Sequence, residues 1–254
     1  MSDLDVVPHH PARAVAPRRA NRWRELRGSW PLAWRDVGAL VVAYAAITAV
    51  LVAIGELVIG PFDGSIGETD RRVARSFEAG RTPRLDDLSY WGSMMSETAV
   101  KIVLTAIAAT VMIAVWRRWN DALLVAVALI LEACIFLTVT LIVGRHRPDV
   151  TRLDSSPVDS SFPSGHVAAA VVYGAFAIIV SRHTARRWPV VVAVLAATAV
   201  SAIVGWARMY RGMHHLSDVV AGAALGLVSI WVTWRVMQRA EERSTDRAPQ
   251  DVTP

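Results

Sequence analysis

The sequence contains a single cysteine, Cys134, among its 254 residues. One cysteine excludes a scaffold of intrachain disulfides and zinc sites built from several cysteines. Charged residues are also scarce, at 19% of the chain, whereas soluble domains usually carry about 25%. This composition argues against a water-soluble domain.

The sequence is instead rich in long apolar segments. Hydrophobic residues make up 54% of the chain, and its mean hydropathy is +0.37. A helix needs about 20 mostly apolar residues to cross a bilayer. Six segments with few or no charges approach this length, namely 37–60, 98–116, 122–143, 167–181, 188–207 and 219–234. The sequence therefore predicts an all-α polytopic membrane protein with a bundle of six transmembrane helices.

The distribution of arginine predicts the orientation of the bundle. Arg accounts for all but one of the 27 Lys and Arg residues, and seven Arg precede the first apolar segment. Arg-rich short loops mark the cytoplasmic side of a membrane, and here they follow the second and fourth segments, at 116–121 and 182–187. We therefore predict a multi-pass protein of the plasma (cytoplasmic) membrane with both termini in the cytoplasm.

The same patterns divide the chain into three parts. We predict an Arg/Pro-rich cytoplasmic tail over 1–35, a six-helix membrane domain over 36–238, and a disordered cytoplasmic tail over 239–254. The one long loop, 61–97, would be external and would carry a short amphipathic helix lying on the membrane interface, around residues 71–77. The basic residues are not accompanied by an aromatic-basic module, so no nucleic acid partner is expected.

Polar residues gather at one end of this predicted bundle. The end of the third helix, the start of the fourth, the end of the fifth and the start of the sixth all emerge on the same side. These places hold Arg145, His146, Arg147 and Pro148, then Pro163, Ser164, Gly165 and His166, then Arg208 and Arg211, and finally His214, His215 and Asp218. The sequence therefore predicts one polar site on the external face.

The residue types in this site suit phosphate chemistry. Arginine forks and the amides at a helix start bind phosphate groups. His214 and Asp218 are four residues apart, so on a helix Asp218 could accept a hydrogen bond from Nδ1 of the imidazole. Nε2 of His214 would then face the site as a nucleophile. His166 would be available to protonate the leaving oxygen.

Two stretches of this sequence resemble signature motifs of a known family. Residues 163–166 read Pro-Ser-Gly-His, and Arg208 is followed after five residues by His214 and after three more by Asp218. These stretches resemble the second and third motifs of the type-2 phosphatidic acid phosphatase superfamily. Arg147-Pro148 is similar to the end of its first motif. The superfamily includes lipid phosphate phosphatases, polyprenyl diphosphate phosphatases, soluble acid phosphatases and vanadium haloperoxidases.

The resemblance implies a role for each matching residue. His214 would form a phosphohistidine, Asp218 would orient it, and His166 would act first as the acid and then as the base. The phosphate ligands would be Arg147, Arg208, Ser164 and Gly165, and no metal or other cofactor is implied. The implied reaction is metal-independent hydrolysis of a lipid phosphate or diphosphate, with polyprenyl diphosphate, phosphatidylglycerol phosphate and phosphatidic acid as candidate substrates.

The sequence departs from the family pattern at two positions. The first motif begins with a Lys, and here Thr140 stands in its place. We expect Arg145 to supply the missing charge as a phosphate ligand, with Lys101 as a second candidate. Ala207 replaces the Ser that leads the third motif, which removes one possible hydrogen bond.

Several alternatives remain open from the sequence alone. A phosphotransferase would use the same phosphohistidine, and a lipid-phosphate binder would lack turnover. A six-helix transporter could use His and Arg as an ion relay, and His214 and His215 with nearby Asp residues could bind a metal. Glu56 and Glu132 lie inside predicted helices and receive no role, and the oligomeric state is not predicted.

Overall fold

The computed structural model describes residues 32–116, 119–156 and 158–246. Most of the predicted N-terminal tail, 1–31, and residues 247–254 of the C-terminal tail lie outside this part of the chain. The described residues form helices, in the order α1 (Trp34–Ile59), a π-helical turn (Asp63–Gly67), α2 (Glu68–Ala79), α3 (Pro83–Met94), α4 (Thr98–Val111, continued as a π-helical turn over Met112–Trp116), α5 (Trp119–Val143), α6 (Gly165–Val172), α7 (Ala175–His183), α8 (Arg187–Tyr210) and α9 (Leu216–Asp246).

The helices confirm an all-α polytopic membrane protein. By length and composition, five spans qualify among the described residues: α1, α5, α6 with α7, α8, and the portion of α9 up to Arg243. The number rises to six if α3 and α4, which are bent by 48° at the break between them, are counted as one span. The sequence predicted α4 alone as the second span. Counted with α3, this span would start earlier, at Pro83, where Oγ1 of the N-cap Thr82 accepts a hydrogen bond from the N–H of Leu85 at 3.3 Å.

A short helix is present in the long loop, where the sequence predicts one. It is α2, and its only basic residues are Arg71, Arg72 and Arg75. The half-buried Val73 and Phe77 lie on the same helix. The predicted loop 61–97 also contains all of α3, so it has more helical structure than the sequence predicts.

Helix α6 lies at the centre of the bundle, and α9 packs closely against it. Almost every side chain of α6 is buried, including Val167 and Ala168. A Cβ atom added to Gly222 of α9 would lie 2.4 Å from the carbonyl oxygen of Ser164, and one added to Gly226 would lie 2.5 Å from that of Ala168. Two glycines spaced four residues apart thus let the two helix backbones touch, which fixes the start of α6 against the start of α9.

The two ends of the described bundle meet at one side. Arg243 near the end of α9 forms an ion pair with Asp36 in the first turn of α1. Nearby helix ends are also joined, because Arg182 of α7 pairs with Glu241 at 2.9 Å and with Asp121 of α5 at 3.1 Å. The start of the first span and the end of the last span therefore lie together.

The prediction that the C-terminal tail is disordered from residue 239 is corrected by α9. This helix continues to Asp246. Its last turns are held by packing and charge, since Met237 and Ala240 are each 1% exposed and Glu241 and Arg243 are ion-paired. The sequence showed only that this stretch was polar, not that other helix ends provided partners for it.

Candidate active site

The predicted site residues come together at the other side of the bundle. They lie on the segment 144–164 between α5 and α6, at the start of α6, at the end of α8 and before α9. His214 and His215 precede α9, whereas Asp218 lies in its first turn. Helix starts and ends supply unpaired backbone groups as well as side chains, so a polar site forms here without breaking a span.

His214 is buried and held by a backbone carbonyl. Its side chain is 4% exposed, and Nδ1 donates a hydrogen bond to the carbonyl oxygen of Ser161 at 2.7 Å. Nδ1 lies 3.9 Å from Oδ2 of Asp218, which is too far for a hydrogen bond. The prediction of a hydrogen bond between these two side chains is therefore wrong. The carbonyl serves the predicted purpose, because a neutral imidazole with its proton on Nδ1 keeps a lone pair on Nε2.

The surroundings of His214 keep its imidazole neutral. Burial lowers the pKa of His214 well below 6.5, and the positive charges of Arg208 and Arg147 lower it further. The charge of His166 also lowers the pKa of His214. The unprotonated ring is the form that can act as a nucleophile.

Arg147 is fixed by the loop that precedes α6. Its Nη2 donates to Oγ of Ser156 at 2.9 Å and to the carbonyl oxygens of Val158 and Ser160 at 2.9 and 3.1 Å, and Nη1 donates to the carbonyl of Met213. Burial is the main cause that lowers the pKa of Arg147, but a guanidinium stays charged at neutral pH. The side chain therefore presents a rigid, partly desolvated positive charge next to His214.

Arg208 is held in a similar way from the other side. Its Nη1 donates to Oγ of Ser93 at 2.9 Å and to Oδ2 of Asp154 at 3.1 Å. Asp154 also pairs with Arg211, at 2.6 Å. The sequence pointed to Asp154 only as one of the nearby Asp residues that could bind a metal, whereas in the structure its carboxylate balances two of the arginines.

Three buried donors of the predicted phosphate ligands have no hydrogen-bond partner among the described residues. They are Nε of Arg147, Nε of Arg208 and Oγ of Ser164. Buried polar atoms are usually paired, and leaving one unpaired costs about 1–3 kcal/mol. Unpaired donors around a neutral histidine match what an oxyanion requires.

Ser164 and Gly165 open helix α6. Ser164 is the N-cap residue, but its side chain does not cap the helix, so its hydroxyl is not used locally. A Cβ atom at Gly165 would lie 2.9 Å from the ring of Phe136, which explains why glycine is required here. The first amides of the helix lack intrahelical partners and favour an anion.

Arg145 has different partners from those expected of a phosphate ligand. It is 7% exposed, its Nη2 donates to Oδ2 of Asp70 at 2.8 Å, and its Nη1 donates to Oγ of Ser217 at 2.7 Å and to the carboxylate of Asp218. Burial alone would raise the pKa of Asp70, but hydrogen bonds from Ser217 and Arg145 outweigh it and leave that pKa below its ordinary value. The assignment of Arg145 as a phosphate ligand stays a prediction, and these contacts favour a role in positioning Asp218.

Asp218 acts on the turn before α9 instead of on the His214 ring. It is fully buried, and its Oδ2 accepts the N–H of His215 at 2.8 Å. Its backbone carbonyl accepts the N–H of Ser164 at 3.0 Å. Asp218 therefore connects the segment that carries His214 with the start of α6.

His166 contacts a carboxylate that the sequence analysis missed. Its Nε2 lies 3.1 Å from Oε2 of Glu97, which is the N-cap residue of α4. Glu97 belongs to none of the motifs and its neighbourhood in the sequence is unremarkable for a site residue, so only the fold brings it to His166.

The remaining candidates lie outside this constellation. Thr140 is buried and its hydroxyl donates to the carbonyl of Phe162 at 3.3 Å. Lys101 and Glu132 line an apolar groove of about 480 Å³ between α4 and α5, and Glu56 is exposed on α1. In the part of the chain that the structure describes, no three His, Cys, Asp or Glu side chains are grouped so that they could hold a metal ion.

Comparisons with known proteins show which family and which relatives the chain resembles. The family model of the PAP2 superfamily matches residues 121–242. The bacitracin transport permease protein BcrC of Bacillus licheniformis is 32% identical over 88 residues, which are 34% of this chain and 39% of that protein. An undecaprenyl-diphosphatase of Sulfolobus acidocaldarius is 34% identical over 86 residues, again 34% of this chain and 36% of that protein. These matches thus span less than half the length of either relative.

Two solved structures share the fold. A transmembrane PAP2-type phosphatidylglycerolphosphate phosphatase from Bacillus subtilis superposes with a TM-score of 0.65 at 20% identity, covering 82% of this chain and 98% of the other. Aquifex aeolicus LpxE superposes with a TM-score of 0.51 at 21% identity, covering 65% of this chain and 93% of the other. At this level of identity the likeness concerns the fold.

Proposed function

We propose that the chain, whose residues 121–242 match the PAP2 superfamily model, is a PAP2-type, metal-independent phosphatase of lipid phosphates or diphosphates. The observation that carries the proposal is the state of His214. Its Nδ1 is tied to a backbone carbonyl, and no hydrogen bond from a described residue involves its Nε2. The unpaired donors of Arg147, Arg208 and Ser164 are the groups expected around a phosphate that this nitrogen attacks.

In the proposed reaction, Nε2 of His214 attacks phosphorus and forms a phosphohistidine. The bond from phosphorus to the leaving oxygen breaks, and protonated His166 gives its proton to that oxygen. Neutral His166 then takes a proton from a water molecule that attacks the phosphohistidine, which releases phosphate and regenerates His214. Arg147 and Arg208, with Ser164 and the amide of Gly165, stabilise the negative charge of both transition states.

The position of the site in the membrane protein supports a lipid substrate. The spans carry apolar side chains exposed on their outer surfaces, such as Leu141 and Leu195, and the site lies at one end of these spans. A lipid could therefore keep its tail in the bilayer and bring its phosphate to the site. The relatives named above favour a polyprenyl diphosphate or phosphatidylglycerol phosphate, and phosphatidic acid is a third candidate.

We further propose that the site faces the outside of the plasma membrane. The sequence places Arg-rich short loops and both termini at the opposite end of the bundle, and such loops remain in the cytoplasm. The ion pair between Asp36 and Arg243 agrees with two termini on one side.

Phosphate release from a panel of polyprenyl and glycerolipid phosphates tests the proposal. The detergent-purified full-length protein is assayed with and without EDTA, beside His214→Ala and the control His146→Ala, an exposed histidine of the same region. We expect release by the wild type and by His146→Ala, unaffected by EDTA. In His214→Ala, the rate should fall by about 10⁴-fold or more.

Each other result points to a different activity. Release that EDTA abolishes would contradict the metal-independent mechanism. Transfer of phosphate to an acceptor without release would indicate a phosphotransferase, and neither release nor transfer with any lipid would leave a binder or a transporter.

A further inference from the structure

The break between α3 and α4 is attached to the helix that carries His166. Three consecutive residues, 95 to 97, lie between the two parts of the bent span. The hydroxyl of Tyr173 donates to the carbonyl of Met95 at 3.3 Å, and the buried hydroxyl of Ser96 donates to the carbonyl of His166. The carboxylate of Glu97 reaches Nε2 of the same histidine. The three contacts fix Glu97 relative to the His166 ring.

Stability of the fold does not require the pair of Glu97 and His166. The side chain of Glu97 is 45% exposed and that of His166 is 25% exposed, and ion pairs at such sites contribute about 0–1 kcal/mol. The hydrogen bonds of Met95 and Ser96 already hold the two segments together. The carboxylate therefore needs an explanation other than attachment of the helices.

The ring geometry of His166 supplies that explanation. Nε2 faces Glu97, and Nδ1 forms no hydrogen bond with any described residue. A histidine that moves a proton at one nitrogen is oriented and stabilised in its charged form by a carboxylate at the other nitrogen. His166 needs the charged form before it protonates a leaving oxygen, so a carboxylate at Nε2 makes Nδ1 the nitrogen that transfers the proton.

We infer that Glu97 is a positioning residue for the general acid His166, and this inference rests on the proposed function. Glu97 accepts the Nε2–H of His166 throughout the reaction and does not touch the substrate. The proton moves from Nδ1 of His166 to the leaving oxygen as the bond between phosphorus and that oxygen breaks. In the second step the proton returns to Nδ1 from the attacking water.

A comparison of leaving groups separates this role from a structural one. An alcohol must be protonated as it leaves, whereas a nitrophenolate leaves readily without a proton. We would measure kcat/KM of the full-length enzyme on dodecyl phosphate and on 4-nitrophenyl phosphate, each relative to the wild type. This ratio reports the steps up to the phosphohistidine and excludes its hydrolysis, in which His166 also acts. The variants are Glu97→Gln and, as a matched loss of an exposed carboxylate on α3, Asp87→Asn.

The expected result is a selective loss. Glu97→Gln should lower kcat/KM on dodecyl phosphate by about tenfold to a hundredfold, a part of the 10²–10⁴-fold that general acid catalysis supplies, and change kcat/KM on 4-nitrophenyl phosphate by less than about threefold. Asp87→Asn should leave both rates near those of the wild type. In a His166→Ala background, Glu97→Gln should cause no further loss on dodecyl phosphate, because its effect passes through His166.

Equal losses on both substrates, or no loss on either, would overturn the inference while leaving the phosphatase activity established. If Glu97→Gln does not fold, Glu97→Asp carries the same test, since it keeps the charge but withdraws it from Nε2. If the wild type and Asp87→Asn release no phosphate from either substrate, the proposed function itself fails, and the inference fails with it.

Discussion

At the scale of single residues, the site depends on how its histidines are fixed. His214 is oriented by the carbonyl of Ser161, which leaves the carboxylate of Asp218 for other contacts. The difference has a chemical consequence. A carboxylate at Nδ1 would raise the proton affinity of the ring, whereas a neutral carbonyl orients the ring with less effect on its charge. Neutral His214 at physiological pH therefore follows from its burial and from the adjacent arginines.

The protonation state of His214 gives a direct prediction. Burial and the charges of Arg208 and Arg147 lower the pKa of His214 below 6.5. A group with a lowered pKa stays unprotonated until the pH falls below that value, so His214 should be neutral at pH 6.5, where an ordinary histidine is half protonated. Nitrogen NMR of ¹⁵N-histidine-labelled protein in detergent, with the signal assigned by its loss in His214→Gln, measures this state.

A second variant identifies the cause of the shift. Arg147→Gln removes one of the positive charges, so its His214 signal should titrate at a higher pH than in the wild type. The signal of His146, which is exposed, is recorded in both proteins as an internal reference. Titration of His214 at or above 6.5 in the wild type would contradict the electrostatic account.

At the scale of secondary structure elements, the sequence predicts the apolar segments well and the connections between them less well. Hydropathy located five of the spans, because each is a continuous apolar run. It placed the second span at α4 alone, since α3 contains residues such as Arg84 and Asp86 that interrupt the apolar pattern. The break at residues 95–97 depends on hydrogen bonds to α6 and the turn after it, and no local pattern encodes these.

The same limit applies to the site residues. The two motifs identified Ser164, Gly165, His166, Arg208 and His214, which the fold brings to one side of the bundle. Glu97 and Asp70 were missed because they lie on segments far away in the sequence and contact the site only through the fold. Asp154 lies on the same loop as Arg147, but its contact with Arg208 also arises only through the fold. A backbone acceptor such as the carbonyl of Ser161 leaves no signal at all, since every residue has one.

Helix α2 provides a prediction at this scale, because a buried ion pair anchors it to Arg145 after α5 and hydrogen bonds from Ser217 anchor it to α9. Asp70 of α2 is 2% exposed and accepts hydrogen bonds from Arg145 and from Ser217. Asp70→Asn leaves Arg145 with only one of its two carboxylates. Breaking a buried pair of this kind costs about 3–5 kcal/mol, so the midpoint of thermal unfolding in detergent at pH 7 should fall by several degrees.

The stability that Asp70→Asn loses should depend on pH in a defined direction. The pKa of Asp70 is below its ordinary value of 3.8 in the folded protein, so its contribution to stability is present above the pKa of the unfolded chain and is lost as the pH falls through the folded value. The difference in unfolding midpoint between wild type and Asp70→Asn should therefore become smaller below about pH 4. Glu68→Gln, which removes an exposed carboxylate of the same helix, should change stability by less than about 0.5 kcal/mol at either pH. If this difference in unfolding midpoint does not change with pH, packing and not charge stabilises the position of α2.

At the scale of the whole molecule, the two sides of the described bundle differ in what their charges do. On one side, ion pairs such as those of Asp36 with Arg243 and of Asp121 with Arg182 join the ends of different helices. On the other side, Arg147 and Arg208 keep unpaired donors next to His214. Ion pairs such as that of Arg145 with Asp70 stabilise the site side as well, but there charge also provides the proposed phosphate site. The assignment of the two sides to the cytoplasm and the exterior determines which lipid leaflet supplies the substrate.

Cysteine labelling tests that assignment, because Cys134 is the chain's only cysteine and Cys134→Ser gives a background without thiols. Asp149→Cys places a thiol on the exposed loop at the site, and Arg186→Cys places one on an exposed turn at the opposite side. Because Arg-rich short loops stay in the cytoplasm, a membrane-impermeant maleimide should label intact cells only at position 149. Position 186 should react only after the cells are permeabilised. The reverse pattern would put the site in the cytoplasm and would require the substrate to come from the inner leaflet, whereas labelling of both positions in intact cells would contradict a six-span bundle with its two sides separated by the membrane.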